Sequence, residues 1–225
     1  MYPSYIRKTF TKTLPTVDFQ LFKHKLQSAL KSPLPGASAQ HLMAPAGRKQ
    51  SDFNGAKASQ ARTAAVLALF YEEEKTAQLV LTLRKKYPGV HSNQISFPGG
   101  RRDQADADYL QTALREAREE IGISPAHVDV LGQLTPLYIP PSNFLVHPYV
   151  GVYNSQPLFT KQESEVEQIF SVPVSEILDD SYITNVTLNL KGINMEVPTF
   201  QFKGHNVWGA TAMMLSELRQ ILLFA

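Results

Sequence analysis

Residues 94–123 limit what this chain can fold into more than any other stretch. Gln94 to Phe97 reads as a short extended segment, Pro98-Gly99-Gly100 ends it, and Asp106 to Gly122 carries the strongest helical pattern in the chain. Leu110, Ala113, Leu114, Ala117 and Ile121 form one apolar stripe that has to be buried. Gly122 supplies the stop. Glu116, Glu119 and Glu120 recur at i, i+3 and i+4, so they project from a common side with β-carbons ~5–6 Å apart. Like charges at that spacing cost about 0.2–0.5 kcal/mol per pair. Arg115, four residues before Glu119, offsets part of this, and a divalent cation would offset more, because hard cations take carboxylate oxygens. Read alone, the helix is equally a solvated surface element with three acids and two arginines. The preceding turn tips the reading, since paired glycines let backbone bend sharply and approach another group closely. A strand, a glycine turn, a loop and an acidic helix can together build a metal–phosphate site.

The rest of the pattern suggests mixed α/β architecture. Asp18 to Leu30 reads as a short helix through Phe19, Phe22, Leu26 and Leu30, stopped by Ser32-Pro33-Leu34-Pro35-Gly36. Residues 32–61, rich in Pro, Gly, Ser, Ala and Gln, read as a long connection. Strands are expected at Arg62–Tyr71 and Gln78–Arg84, paired as a hairpin across Glu72-Glu73-Glu74-Lys75. Further strands are expected at His127–Leu134, His147–Tyr153 and Val166–Val172, with a helical turn over Pro173–Leu178. Tyr182–Lys191 and Met195–Lys203 suggest a second hairpin turned at Gly192-Ile193-Asn194, and Gly209–Leu223 a closing helix. The expectation is a basic N-terminal extension over residues 1–54, holding the short helix and linker, and one sandwich domain over 55–225.

Composition removes several alternatives. The 225 residues are 43% hydrophobic and 19% charged, as in ordinary globular chains. Without cysteine there can be no disulfide framework, zinc–thiolate or iron–sulfur site, or cysteine nucleophile. No apolar run approaches the roughly 20 residues of a membrane span. Met1 to Lys8 has no apolar core behind its charges, so no secretory signal is expected. The C-terminal Leu222-Leu223-Phe224-Ala225 is no peroxisomal tail, and a cytoplasmic location is expected. Residues 1–50 hold eight Lys/Arg and one acid, against fourteen basic and nineteen acidic residues in the rest. Such a segment can touch phosphate or nucleic acid, but no aromatic interleaving organises it, so a solvated extension is expected and nucleic acid is disfavoured. No two histidines stand at i, i+4, and neither a serine-hydrolase elbow nor a Walker loop is present. Trp208 with Phe200, Phe202 and Val207 could stack a base, but core is the expected role.

Gly100, Asp106 and Arg115-Glu116-Ala117-Arg118-Glu119-Glu120-Ile121-Gly122-Ile123 resemble the Nudix box, Gly-x5-Glu-x7-Arg-Glu-U-x-Glu-Glu-x-Gly-U with U aliphatic. The nine-residue end matches throughout. Upstream, Asp106 replaces Glu, and eight residues rather than seven separate it from Arg115. That longer spacing resembles the branch that hydrolyses coenzyme A. The branch signature, Leu-Leu-Thr-x-Arg-Ser/Ala-x3-Arg-x3-Gly-x3-Phe-Pro-Gly-Gly, matches at Leu81, Thr82, Arg84, Phe97, Pro98, Gly99 and Gly100. Val80, Lys85, Gly89 and Asn93 depart from it, with Gly89 standing in place of an arginine. Glu163-Ser164-Glu165-Val166 and Val207-Trp208-Gly209-Ala210-Thr211-Ala212 also look like that branch.

The resemblance implies an α/β/α sandwich with a mixed sheet between helices. It implies metal-dependent hydrolysis of a nucleoside diphosphate-linked compound, with Mg²⁺ or Mn²⁺ as cofactor. Coenzyme A or an acyl-CoA would yield 4′-phosphopantetheine and adenosine 3′,5′-bisphosphate. ADP-ribose, NADH or another dinucleotide is the alternative substrate, and a non-catalytic nucleotide-binding module the alternative of another class. By carry-over, Glu116 and Glu120 are metal ligands and Glu119 a third ligand or the base. Gly100 supplies a backbone contact to the metal, and Arg115 orients a glutamate. Glu165, with Glu163 behind it, is the candidate base from outside the box. Arg84 is the candidate phosphate ligand, and Lys85, Lys86, Arg101 and Arg102 the cations for a 3′-phosphate. The partner is thus a small nucleotide-like molecule, and a homodimer is one oligomeric option.

Overall fold

The computed structural model describes residues 19–48, 59–89, 91–190 and 192–225. Its centre is β1 (Arg62–Glu73), whose inner residues are apolar on both faces, the pattern of a strand covered on both sides. Ala65, Leu67, Leu69 and Tyr71 point to one face, and Ala64, Ala68 and Phe70 to the other. On one edge β1 runs parallel to β7 (Phe144–Tyr153), from Arg62 opposite Phe144 to Phe70 opposite Val152. The other edge is shared by two strands. Phe70–Glu73 pairs with β2 (Thr76–Arg84), closing the expected hairpin, while Ala64–Val66 pairs with β4 (Gly99–Arg101). Between them Leu67 N donates to Pro98 O at 2.8 Å, where the chain passes from β3 (Ile95–Ser96) into β4. The sheet is completed by β5 (Val128–Gln133) and β6 (Leu137–Ile139) on β7, and by β8 (Val166–Pro173) on β2.

The two faces are covered differently. Helix α3 (Tyr109–Ile121) lays Ala113, Ala117 and Ile121 against Ala65, Leu67 and Leu69. It starts where Asp108 accepts from Gln111 N and ends at Gly122 in the left-handed region. The opposite face carries α1 (Phe19–Leu30), α5 (Gly209–Leu223) and a three-stranded sheet. That sheet is β9 (Ile183–Leu190), β10 (Ile193–Phe202) and β11 (His205–Trp208), and α4 (Val174–Leu178) leads towards it. The result is the expected α/β/α sandwich around a mixed sheet. The second hairpin turns more tightly than its sequence suggests, because Leu190 already pairs with Ile193. Among the described residues no helix is long and apolar enough to cross a membrane.

The solvated reading of the N-terminal segment does not describe residues 19–48. Phe19, Phe22, Leu26 and Leu30 are buried in the main core, with the Phe22 ring edge-on to Phe70 at 5.2 Å. The connection that follows contains α2 (Gly36–His41), anchored by a fully buried carboxylate from the far end of the chain. Glu217 of α5 accepts from Gly36 N, Gln40 Nε2 and the Thr135 backbone and hydroxyl. These donors satisfy a charge that would otherwise be costly to bury. Asp18, expected to open α1, and the junction near residue 54 lie outside the described residues.

Leu26 is fully buried, so Leu26→Ala is predicted to lower the unfolding free energy by about 3 kcal/mol. Urea denaturation measures this. An unchanged midpoint would mean that α1 does not contribute to the core.

Candidate active site

The site is assembled where the β3–β4 turn meets α3. Gly99 has φ +154, and a β-carbon there would lie 2.4 Å from Ala65 O and 2.5 Å from Val66 Cα. Only glycine lets β4 sit this close to β1. At Gly100 the contact is instead with a side chain, since a β-carbon would fall 2.5 Å from Glu116 Oε2. The missing side chain is the space that the Glu116 carboxylate fills. Beside it, Glu120 is 1% exposed and accepts from Gly99 N at 3.0 Å through Oε2.

The three glutamates do not share one environment. Glu116 and Glu120 face the glycine turn. Burial raises the carboxyl pKa of both, helped at Glu116 by the negative charges of Glu119 and Glu165 and at Glu120 by those of Glu116 and Glu165. Glu120 is pushed up to about 7, although Arg84 and Gly99 N–H pull the other way. Glu119 is exposed, paired with Arg115 at 2.9 Å and Arg118 at 3.9 Å. Helical spacing put all three on one side. The curvature of the helix surface then separates position i+3 from i and i+4 once the glycine turn covers only part of that side.

Arg115 ties the helix to the loop before it. Its Nε and Nη2 donate to the two oxygens of Asp106, each at 2.9 Å, and Nη2 also reaches Arg101 O at 3.1 Å. Its Nη1 donates to Glu116 at 2.8 Å and to Glu119 at 2.9 Å. Asp106 further accepts from Thr112 Oγ1 and Asp103 N. The Arg115 guanidinium holds the Asp106 carboxyl far below the usual range, and the Arg115 pKa is raised in turn. Asp106 is thus spent on Arg115 and is separate from the Glu116–Glu120 pair. The sequence marked Asp106 only as a departure from a pattern. Its partner became visible only with the loop conformation that puts the two side by side.

The expected substrate cations divide into two groups. Arg84, at the end of β2, donates to Glu120 Oε1 at 3.1 Å and lies 3.8 Å from Glu165 Oε2. Glu165 is held close by its own backbone, whose carbonyl accepts from Lys85 N. Lys85 Nζ is 3.9 Å from Glu163, and Lys86 is exposed on the same loop. Arg101 and Arg102 lie on the other side of the turn. Arg101 is exposed, while Arg102 donates to Asp106 O and Ala107 O and sits over the Tyr109 ring at 5.1 Å. Arg102 is therefore engaged by its own loop, and Tyr109 continues the stack onto His147 at 3.8 Å.

Two departures in the branch signature have a structural account. Asn93 has φ +57, a left-handed conformation that asparagine tolerates better than most residues, so it serves where the signature has glycine. At Gly89, a β-carbon would fall 2.1 Å from Tyr87 Cε2, so the Tyr87 ring occupies the space into which an arginine would start. Phe200, Phe202 and Val207 are fully buried, in keeping with a core role.

Among the described residues, no three His, Asp or Glu side chains are gathered as a ready metal cage. Magnesium needs none, since it is commonly held by one or two carboxylates together with substrate phosphates. The donor set fits this demand. Two carboxylates lie against the glycine turn, and the arginines beside them are shared, Arg84 with Glu165 and Arg115 with Asp106 and Glu119.

Comparison with known proteins identifies a family. Residues 61–187 match the NUDIX domain family. A Yersinia enterocolitica protein named "Uncharacterized Nudix hydrolase NudL" is 37% identical over 142 residues, covering 63% of this chain and 72% of its own. Its namesake from Yersinia pestis is 34% identical over 163 residues, covering 72% and 80%. The crystal structure of RenU, a Nudix hydrolase from M. smegmatis, superposes with a TM-score of 0.51 at 15% identity, over 72% of this chain and 85% of that one. At that identity the likeness concerns the fold alone.

The Asp106–Arg115 pair generates a prediction about stability. Because the Asp106 pKa is lowered on folding, its stabilisation is present above the unfolded value near 3.9 and is lost as pH falls below it. Asp106→Asn is predicted to destabilise the protein by about 2 kcal/mol at pH 7, less than for a fully buried pair because Arg115 is partly exposed. Thermal unfolding should show the deficit shrinking below about pH 4. A deficit independent of pH would contradict the assignment.

Proposed function

This chain belongs to the Nudix hydrolase family, and from that premise we propose that its substrate is coenzyme A or an acyl-CoA, cleaved at the pyrophosphate with Mg²⁺ or Mn²⁺. As a Nudix hydrolase it is a pyrophosphohydrolase acting on a nucleotide-linked substrate. The observation that carries the finer reading is the convergence of both ends of the coenzyme A signature on one carboxylate. Arg84, from its first half, and Gly99, from its last, both donate to Glu120.

In this reading Glu116 and Glu120 hold the cation, with Gly100 giving it access to backbone. When bound, the ion neutralises phosphate oxygens and lowers the pKa of a water ligand. Glu165 accepts the proton of the attacking water, with Glu119 as the second candidate. The water oxygen bonds to one phosphorus, the bond from that phosphorus to the bridging oxygen breaks, and the leaving phosphate takes the bridging oxygen. The products are 4′-phosphopantetheine and adenosine 3′,5′-bisphosphate. Arg84 turns from Glu120 and Glu165 to a substrate phosphate. Arg115, fixed by Asp106, orients Glu116 and Glu119 and touches no substrate. Lys85, Lys86 and Arg101 serve the 3′-phosphate, and Arg102 supports the loop that carries Arg101. A second reading, ADP-ribose or NADH, is favoured by Gly89, which removes one cation from the rim.

The test is a hydrolysis panel of coenzyme A, dephospho-coenzyme A, ADP-ribose and NADH with Mg²⁺ or Mn²⁺. Coenzyme A is expected to be cleaved best and dephospho-coenzyme A less well. Glu120→Gln should lower kcat/KM on the order of 1000-fold, corresponding to several kcal/mol of lost transition-state stabilisation. Preference for ADP-ribose or NADH would overturn the coenzyme A assignment while leaving the enzyme class intact.

A further inference from the structure

The loop from Lys85 to Gln94 forms one rim of the site, because both of its feet stand in it. Arg84, just before it, is 3.1 Å from Glu120, and Gly99, five residues after it, donates to the same carboxylate. The loop is folded on itself. Asn93 N donates to Lys85 O at 3.4 Å, Tyr87 N to Ser92 Oγ at 2.9 Å, and His91 Nδ1 lies 3.1 Å from Gln94 Oε1.

Tyr87 stands out on this rim. It is 42% exposed, and among the described residues the only other exposed Phe, Tyr or Trp side chain is Phe224, beside the C-terminal end of α5. One ring edge is seated on Gly89, where a β-carbon would come within 2.1 Å of Cε2 and 2.8 Å of Cδ2. The ring is therefore steadied by a residue with no side chain to crowd it, while much of it stays open. It follows Arg84 by three residues, a reach of about 10 Å in extended chain.

An exposed aromatic ring within that reach of Arg84, the proposed phosphate ligand, suits a planar base attached to the phosphates. Two cations, Lys85 and Lys86, immediately precede it. Resting on the reading above that the substrate carries a nucleotide, we propose that Tyr87, seated on Gly89, stacks on the nucleobase of the substrate and sets its affinity for adenine nucleotides. The missing arginine at position 89 is then an exchange: the glycine gives up a charge and provides the seat for the ring. Phe200 and Phe202 are fully buried and cannot perform this role. Trp208 is half-buried on β11 and is the competing aromatic.

The test uses the full-length protein and ADP as probe, titrated by calorimetry with Mg²⁺ present, against wild type, Tyr87→Phe, Tyr87→Ala and Trp208→Leu. Tyr87→Phe keeps the ring and should bind ADP within twofold of wild type. Tyr87→Ala should weaken ADP binding about tenfold, in the range of base–aromatic stacking, with inorganic pyrophosphate binding unchanged. In turnover the same variant should raise KM with kcat within about twofold. Unchanged ADP affinity in Tyr87→Ala overturns the proposal, as does a loss confined to Trp208→Leu, which would move the stack to Trp208. Equal loss of ADP and pyrophosphate binding also overturns it, since the change would then act on the phosphates. Cleavage of no coenzyme A together with intact ADP stacking would refute the substrate reading and leave this inference standing.

Discussion

Two carboxylates pressed against a glycine turn set the terms for the rest of the molecule. Glu120 is fully buried and Glu116 is partly buried, and neither has a cation to itself: Arg84 is shared with Glu165, and Arg115 with Asp106 and Glu119. Burying such a pair is unfavourable, as the raised pKa of both acids records. The sheet and helix must therefore hold it in place. Ala113, Ala117 and Ile121 fix α3 to the sheet from the opposite stripe of the same helix. Gly99 lets β4 close on β1, which brings the turn up to the carboxylates.

Support for this centre comes from polar contacts around it. Asp106 and Arg115 lock the loop between β4 and α3. Farther away, Glu217 joins α2, α5 and the segment after β5 through hydrogen bonds alone. The two arrangements solve the same problem differently, one with a guanidinium and one with four neutral donors, and only the centre is left undercompensated. Undercompensated negative charge is what the proposed divalent cation would offset, which is why the pair bears on the proposed function.

Much of this was legible in the sequence, for identifiable reasons. The α3 stripe, its glycine stop and the β1–β2 hairpin follow from local periodicity and turn residues, and each is present. The match to a known box supplied the roles that periodicity cannot. Short elements escaped, because α2, β6 and β11 are only three to six residues long, and α2 is held by a distant partner, Glu217. Burial of α1 escaped for the same reason. Its apolar spacing was visible, but the face of the sheet that receives it was not. In the site, the pairing of Asp106 with Arg115 and of Arg84 with Glu120 depends on contacts across 9 and 36 residues, which no local pattern encodes. The split between Glu119 and its two neighbours likewise depends on how far the glycine turn reaches.

The central claim is that the bare backbone at Gly100 shapes the carboxylate pair for a divalent cation. Manganese affinity of Gly100→Ala, measured by electron paramagnetic resonance, tests it most directly. The three atoms nearest the added methyl all belong to the Glu116 carboxylate, the movable end of a side chain, so the fold should survive and the carboxylate should be displaced. The account predicts Mn²⁺ affinity at least about tenfold weaker than wild type, as for disturbed support around a metal site, with an unchanged circular dichroism spectrum. Wild-type affinity in a folded Gly100→Ala protein would contradict it.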